Sequence, residues 1–251
     1  HNRQSKRYVG ALPGSGVYVV VTPTQALQFH DGRYRNEAAD TSGFTNIEVP
    51  QGEYLPELVS FLSAQLCRRV ALVSTGFSIP EFQTLTAQNW TLSLADSLLA
   101  ESRAVKDAVE IQAITAACRV TDQVFAHLLP HIRAGVSEHE LNAWLHFYAL
   151  QAGASAMAFD PIVASGPRGA LPHGRATARR LKNGEFITID FGVVLNDYQS
   201  DMTRTLTIGE PQPDLATVHD AVLTAQLTAI DALKPGVQAR EIDAIARGVL
   251  I

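Results

Sequence analysis

The sequence predicts two consecutive domains: an α/β domain over residues 1–97 and an incomplete α+β domain over residues 98–251. Three observations carry this. Short β-branched runs alternate with helical apolar spacing through the first part of the chain. A long helix, a glycine turn and a shorter helix follow, and this trio recurs with an offset of 101 residues between Gly135 and Gly236. Between the two copies, Phe186 to Thr205 reads as two strands that each carry one aspartate.

Gly16 to Thr22 is a strand of valines with one tyrosine, Pro23-Thr24 turns the chain, and Ala26 to Phe29 is the partner strand. Asp31-Gly-Arg-Tyr34 is a turn into a helix through Glu37 and Ala38. Leu55, Leu58, Val59, Leu62 and Leu66 recur at helical spacing. Val70 to Ser74 is a short buried strand, Ile79-Pro80-Glu81 opens another helix, and Trp90 to Leu94 is a last strand. Alternation of this kind implies a mixed sheet with helices packed on it.

The polar seam Ala100-Glu-Ser-Arg103 precedes a long helix from about Val105 to His131. Its apolar stripe is Ile111, Ile114, Cys118, Phe125 and Leu129, with Lys106 and Glu110 as an i,i+4 pair on the other side. Ser137 and Glu140 form a capping box that starts a helix through Leu150. Ala134-Gly-Val-Ser-Glu-His-Glu-Leu141 resembles Pro235-Gly-Val-Gln-Ala-Arg-Glu-Ile242, which follows the helix Thr217 to Leu233. In the first copy the aspartate strands come after the second helix. The second copy's strands are expected beyond residue 251, so the repeat predicts roughly 60 further residues. Both ends agree with a longer protein: the chain opens on His1 rather than Met, and Leu250-Ile251 stop inside an apolar helical pattern with no cap.

The chain is 46% hydrophobic and 18% charged, the composition of a soluble globular protein. Its net charge is −5, and no basic run or basic face with interleaved aromatics suggests nucleic acid. No stretch approaches the roughly 18 apolar residues of a membrane helix, and no signal peptide is expected. Cys67 and Cys118 read as small buried hydrophobes of a reducing compartment, which points to the cytoplasm. Cysteine count and spacing exclude a zinc site of the Cys/His kind.

The aspartate strands carry the chemistry. Val194-Leu-Asn-Asp197 reads as a four-residue loop with turn-prone Asn196 and Asp197. If Val193 pairs with Tyr198, Asp190 stands directly opposite Asp201, with Cβ atoms about 4.5–5.5 Å apart. Two carboxylates held that close repel unless a proton or cation lies between them, and apolar flanks increase the repulsion. A hard or borderline divalent metal is the natural remedy. A lone strand aspartate is usually an exposed strand end or a turn cap; the pairing on one face sets these two apart. Asp197 is a turn residue. His173 lies in the Gly/Pro-rich loop Leu171-Pro-His-Gly174, where a solitary histidine is more often solvated. Beside a metal it can donate a hydrogen bond to a substrate carbonyl or transfer a proton. His127, His131, His139, His146 and His219 fall on helices, at the surface or core edge. Phe159 to Gly166 is a short strand entering a loop, and Arg204 alternates with Thr203 and Thr205.

These residues resemble the pita-bread metallopeptidases, the family of aminopeptidase P, prolidase and methionine aminopeptidase. Asp190, Gly192, Tyr198, Ser200, Asp201, Thr203, Arg204 and Thr205 look like that family's first two metal ligands in context, with the matching separation of 11 residues. Pro172-His173 is similar to its substrate-side histidine, and Ile162-Val-Ala-Ser-Gly166 and Arg103-x-x-Lys106-x-x-x-Glu110 also fit. Tyr8-x-Gly10, Gly14-Ser15 and Asp31-Gly-Arg-Tyr34 resemble the extra α/β domain of prolidases and aminopeptidases P, which methionine aminopeptidases lack.

The resemblance implies a creatinase/prolidase-type N-terminal domain followed by an incomplete pita-bread domain, with the N-terminus short as well. It implies a metal-dependent peptidase that hydrolyses the bond between an N-terminal residue and a following proline. By the same resemblance Asp190 and Asp201 are metal ligands and His173 is catalytic. Two divalent ions are implied, Mn²⁺ first and Co²⁺ or Zn²⁺ as alternatives, with one histidine and two glutamates beyond residue 251 completing the set. The implied partners are short peptides with proline second and a second copy of the chain. Two other readings stay open: a non-catalytic peptidase-like module that binds peptide or protein, and a creatinase-type amidinohydrolase. Retention of Asp190, Asp201 and His173 weighs against the first, and the two aspartates weigh against the metal-free second. On two carboxylates alone, poor metal binding is expected.

Overall fold

The computed structural model describes residues 3–251 and divides into two compact units, the second beginning at Ala108. The first opens with α1 (Arg3–Tyr8) and a three-stranded sheet, β1 (Val17–Val21), β2 (Ala26–His30) and β3 (Thr45–Glu48). β1 and β2 are antiparallel, joined by the Pro23-Thr24 turn, and β3 runs parallel to β2. The sheet is therefore mixed. The short α2 (Arg35–Ala39) links β2 to β3. β4 (Arg69–Leu72) and β5 (Thr91–Leu94) form a separate parallel pair, flanked by α3 (Tyr54–Ala64) and α4 (Ile79–Thr86). Tyr18, Leu27, Phe29, Leu58, Leu62, Leu72 and Leu85 make the core. A capping box of Ser78 and Glu81 starts α4, with a proline in its first turn where no N–H is missed.

The stretch Ala100–Arg103, read as a polar seam, is helical: it lies in α5 (Asp96–Ala104). Asp96 in the first turn and Arg103 in the last complement the helix dipole, and no side chain of α5 is buried. Tyr8 donates to the Ser102 carbonyl at 3.0 Å, which ties α5 to the first unit.

The second unit starts with α6 (Ala108–Leu128), so Lys106 precedes the helix and the expected i,i+4 pair has no helical frame. Its buried face is Ala117, Val120, Thr121, Val124 and Leu128. Of the expected stripe, Ile111, Cys118 and Leu129 are exposed, and only Phe125 packs against the core. Small and β-branched residues form the inner face because they let α6 approach its neighbours closely. The cysteines are correspondingly not core residues: Cys118 is exposed, Cys67 half-buried, and both are free.

Gly135, at φ +89, turns the chain into α7 (Glu138–Gln151), whose Ser137–Glu140 capping box is formed as expected. The second copy repeats this in detail. Gly236 has the same φ of +89, and Gln238 with Glu241 caps α9 (Ala239–Leu250) after α8 (Pro213–Asp231).

Between the copies lie six short strands: β6 (Ala156–Met157), β7 (Ile162–Ser165), β8 (Phe186–Phe191), β9 (Val193–Leu195), β10 (Tyr198–Gln199) and β11 (Met202–Thr207). They form two antiparallel three-stranded sheets, ordered β10-β9-β6 and β11-β8-β7. β8 and β9 are one strand interrupted at Gly192. Burial alternates along β8, so Ile187, Ile189 and Phe191 enter the core with Leu141, Leu145 and Ala149 of α7. Thr188 and Asp190 face the other way.

Candidate metal centre

The loop joining β9 to β10 has two residues rather than four. Tyr198 pairs with Leu195, leaving Asn196 (φ 48) and Asp197 (φ 69) as a turn with both central residues at positive φ. Primed turns of this kind match the twist of a hairpin, and Asn and Asp tolerate the conformation best after glycine. The same register puts Asp190 opposite Thr203. Direct opposition of the two aspartates is thereby corrected. They are diagonal neighbours on one face, a placement with a typical spacing of about 7–8 Å between Cα atoms.

The motif residues around them hold this register. A Cβ on Gly192 would stand 1.8 Å from the Ser200 carbonyl oxygen and 3.2 Å from Asp201 Cα, so only glycine lets the strands close here. The Ser200 hydroxyl accepts from the Val193 amide at 3.0 Å and shares a 2.5 Å hydrogen bond with Thr121 on α6. Tyr198 donates to Glu110 Oε1 of α6 at 3.2 Å. The hairpin is thus bolted to the long helix beside the aspartates.

Asp190 is half-buried and Asp201 exposed, so the apolar flanks expected around both enclose only one. Burial pushes the Asp190 pKa up, and the Asp201 carboxyl adds to the rise through its charge and a hydrogen bond. A hydrogen bond from Thr203 and the nearby His173 imidazole oppose it. One oxygen of Asp190, Oδ1, is buried with no hydrogen-bond partner. A buried acceptor left unpaired costs roughly 1–3 kcal/mol, more when charged, and a cation would relieve it. The carboxylate oxygens therefore fit a hard divalent ion. Among the described residues no three His, Cys, Asp or Glu side chains gather closely enough to hold a metal.

His173 lies exposed in the turn that follows a short 3-10 segment, Gly166–Ala170. Gly174 packs so tightly that a Cβ there would come within 2.9 Å of Ala164 Cβ on β7. Arg204 is exposed and donates to the Thr203 carbonyl at 2.9 Å. His131, in the 3-10 turn after α6, packs against the Trp144 ring at a 33° tilt and bonds Tyr148 at 2.7 Å.

Glu138 is a buried carboxylate that no sequence motif marks. Its carboxylate is completely buried and accepts hydrogen bonds from Ser165, Thr177 and Arg168. Burial raises its pKa, but the Thr177 and Ser165 hydrogen bonds outweigh that and leave it below the usual range. The capping pattern draws attention to Glu140 two residues later, and a single sequence gives no sign that Glu138 turns inward.

Residues 112–251 match Metallopeptidase family M24. An uncharacterized peptidase of Bacillus subtilis is 32% identical over 249 residues, covering 96% of this chain and 69% of that protein. A Xaa-Pro dipeptidase of Pyrococcus horikoshii is 31% identical over 242 residues, covering 96% and 68%. Among solved structures, a Xaa-Pro dipeptidase from Bacillus anthracis superposes with a TM-score of 0.93 at 31% identity, covering 100% of this chain and 71% of that one. An X-Pro aminopeptidase from Thermotoga maritima gives 0.92 at 32% identity, covering 99% and 71%.

Proposed function

The chain belongs to metallopeptidase family M24, and from that membership we propose a metal-dependent peptidase that cleaves between an N-terminal residue and a following proline. The relatives named Xaa-Pro dipeptidase and X-Pro aminopeptidase support this substrate class. The single observation that carries the chemistry is the half-buried Asp190, with an unpartnered oxygen and a second carboxylate, Asp201, just before the adjoining strand. We read residues 1–97 as a prolidase-type N-terminal domain. The remainder is then the first half and the start of the second half of a pita-bread domain, a reading supported by the twin Gly135 and Gly236 turns. A homodimer is proposed on the family resemblance, and a cytoplasmic location on the two free cysteines.

Asp190 and Asp201 would hold two divalent ions, Mn²⁺ first, with further donors from outside this chain. Such ions lower the pKa of bound water and polarise a carbonyl. Thr203 orients Asp190 through its hydrogen bond. Asp201, exposed beside it, faces the open side of the sheet where a peptide can enter. His173 donates a hydrogen bond to the oxygen of the scissile carbonyl and so favours the charge that develops there.

The test is Mn²⁺-dependent release of the first residue from Xaa-Pro peptides by the full-length protein. Asp190→Asn and Asp201→Asn are each expected to abolish it. Full activity in the metal-free double variant would sink the proposal, and metal-independent peptide binding without cleavage would favour the non-catalytic module.

A further inference from the structure

We propose that Glu138 is a positioning residue for His173, its buried carboxylate clasping both ends of the loop that carries the histidine. This rests on the role given to His173 above. Glu138 is the first residue of α7 and 0% exposed. Its Oε1 accepts from the Ser165 amide and hydroxyl, both at 2.8 Å. Its Oε2 accepts from the Thr177 amide at 3.0 Å, the Thr177 hydroxyl at 2.7 Å and Arg168 Nε at 3.2 Å. Ser165 is the last residue of β7, immediately before the loop, and Thr177 lies three residues past Gly174. One carboxylate therefore joins the point where the chain leaves the sheet to the point where it returns.

Further bonds brace the span. Arg168 donates to the Arg175 carbonyl at 2.5 Å, across the turn that bears His173. The amides of Glu138 and His139 donate to the Arg179 and Thr177 carbonyls, each at 3.0 Å, so the N-terminus of α7 pins the return segment directly. Arg179 reaches Ser165 Oγ at 2.6 Å.

Loops usually satisfy their polar groups with water at the surface. Here a buried carboxylate accepts from the loop's ends instead. Buried ion pairs add little net stability over apolar packing of the same volume, so stability alone is a weak reason for one. What five directional bonds to one rigid group provide is a fixed loop geometry, and catalytic hydrogen bonds depend on such fixing.

The decisive experiment is a double-mutant cycle with Glu138→Gln and His173→Ala, assayed with Mn²⁺ on an Xaa-Pro peptide. Glutamine keeps the shape but turns an NH₂ group toward N–H and O–H donors. Displacement of a reacting group by about 1 Å can cost roughly 100-fold, so Glu138→Gln is expected to lower kcat at least about tenfold with KM little changed. Added to His173→Ala, it should cost nothing further. Independent, multiplying losses would overturn the proposal. Amide exchange over 166–176 gives a readout that needs no activity, with faster exchange expected in Glu138→Gln. Unchanged exchange overturns the clasp, even if the parent protein cleaves no Xaa-Pro peptide and the functional reading itself fails. Should Glu138→Gln not fold, Thr177→Val removes one hydroxyl donor and is expected to lower kcat in the same sense; an unaltered kcat there also overturns the proposal.

Discussion

Replacing Gly192 by alanine tests whether the aspartate hairpin owes its register to a missing side chain. The added Cβ would lie 1.8 Å from the Ser200 carbonyl oxygen and 2.7 Å from its carbonyl carbon. Both are backbone atoms, so no side-chain rotation relieves the contact, and the strands must part by more than an ångström. That separation strains the Val193–Ser200 bonds, 3.0 and 3.1 Å, and the 2.5 Å Thr121–Ser200 bond. Overpacking costs about 1–3 kcal/mol, and each of the three weakened hydrogen bonds adds about 1 kcal/mol, giving on the order of 4–6 kcal/mol. At about 2–4 °C per kcal/mol, Tm should fall by roughly 15 °C. Thermal unfolding by circular dichroism measures this, and Mn²⁺ titration calorimetry on the same samples should show weakened binding, because Asp190 and Asp201 separate with the strands. A variant that unfolds with the parent and binds Mn²⁺ equally would refute the reasoning.

Gly248 is the contrasting case. It lies inside α9 with nothing within 4 Å of an added Cβ, so Gly248→Ala should stabilise the protein by about 0.5–1 kcal/mol, read as a raised urea midpoint. Acid should unfold the second unit partly through Glu138 and Glu185. The hydrogen bond and charge of Arg179 hold Glu185 below its usual pKa, and Glu138 is lowered as described. A depressed carboxyl contributes fully above the unfolded value of about 4.3 and loses that contribution as pH falls through the folded pKa. Urea midpoints measured from neutral pH into acid should therefore drop below about pH 4.3, and less steeply in Glu138→Gln; equal slopes in the two proteins would contradict this.

The strands and helices with strong local signals were legible in the sequence. Val17–Val21 follows from a β-branched run, Ala26–His30 from the Pro23-Thr24 turn before it, and the Ser137–Glu140 helix start from a capping pattern. β3 was not, because Thr45-Asn-Ile-Glu48 buries none of its side chains fully and shows no apolar alternation. The inner face of α6 was misread for a physical reason. Apolar spacing finds the largest side chains, whereas close packing selected Ala117, Thr121 and Val124, leaving Ile111 and Leu129 outside. Glu138 was invisible because its significance lies in donors from Ser165, Arg168 and Thr177, 27 to 39 residues away along the chain.

The aspartate pair shows why one kind of error is survivable. A four-residue loop was expected and a two-residue turn is present, so every cross-strand partner moves by two positions. Side chains alternate with a period of two along a strand, and a shift of two leaves each on its original face. Asp190 and Asp201 therefore still meet, diagonally instead of directly, while a slip of one residue would have sent one of them into the core beside Ile189. Distance and burial do not share this protection. Alternation along a strand does not set them, and Asp190 is half-buried while Asp201 is exposed. The two carboxylates consequently enter the site unequal: Asp190 has a raised pKa and an unpaired oxygen, and Asp201 is open to solvent. A cation bound between them would relieve the Asp190 side of that imbalance far more than the Asp201 side, so Asp190→Asn should weaken Mn²⁺ binding more than Asp201→Asn does. Calorimetric titration of the two single variants decides it, and equal losses would show that burial does not set their ranking.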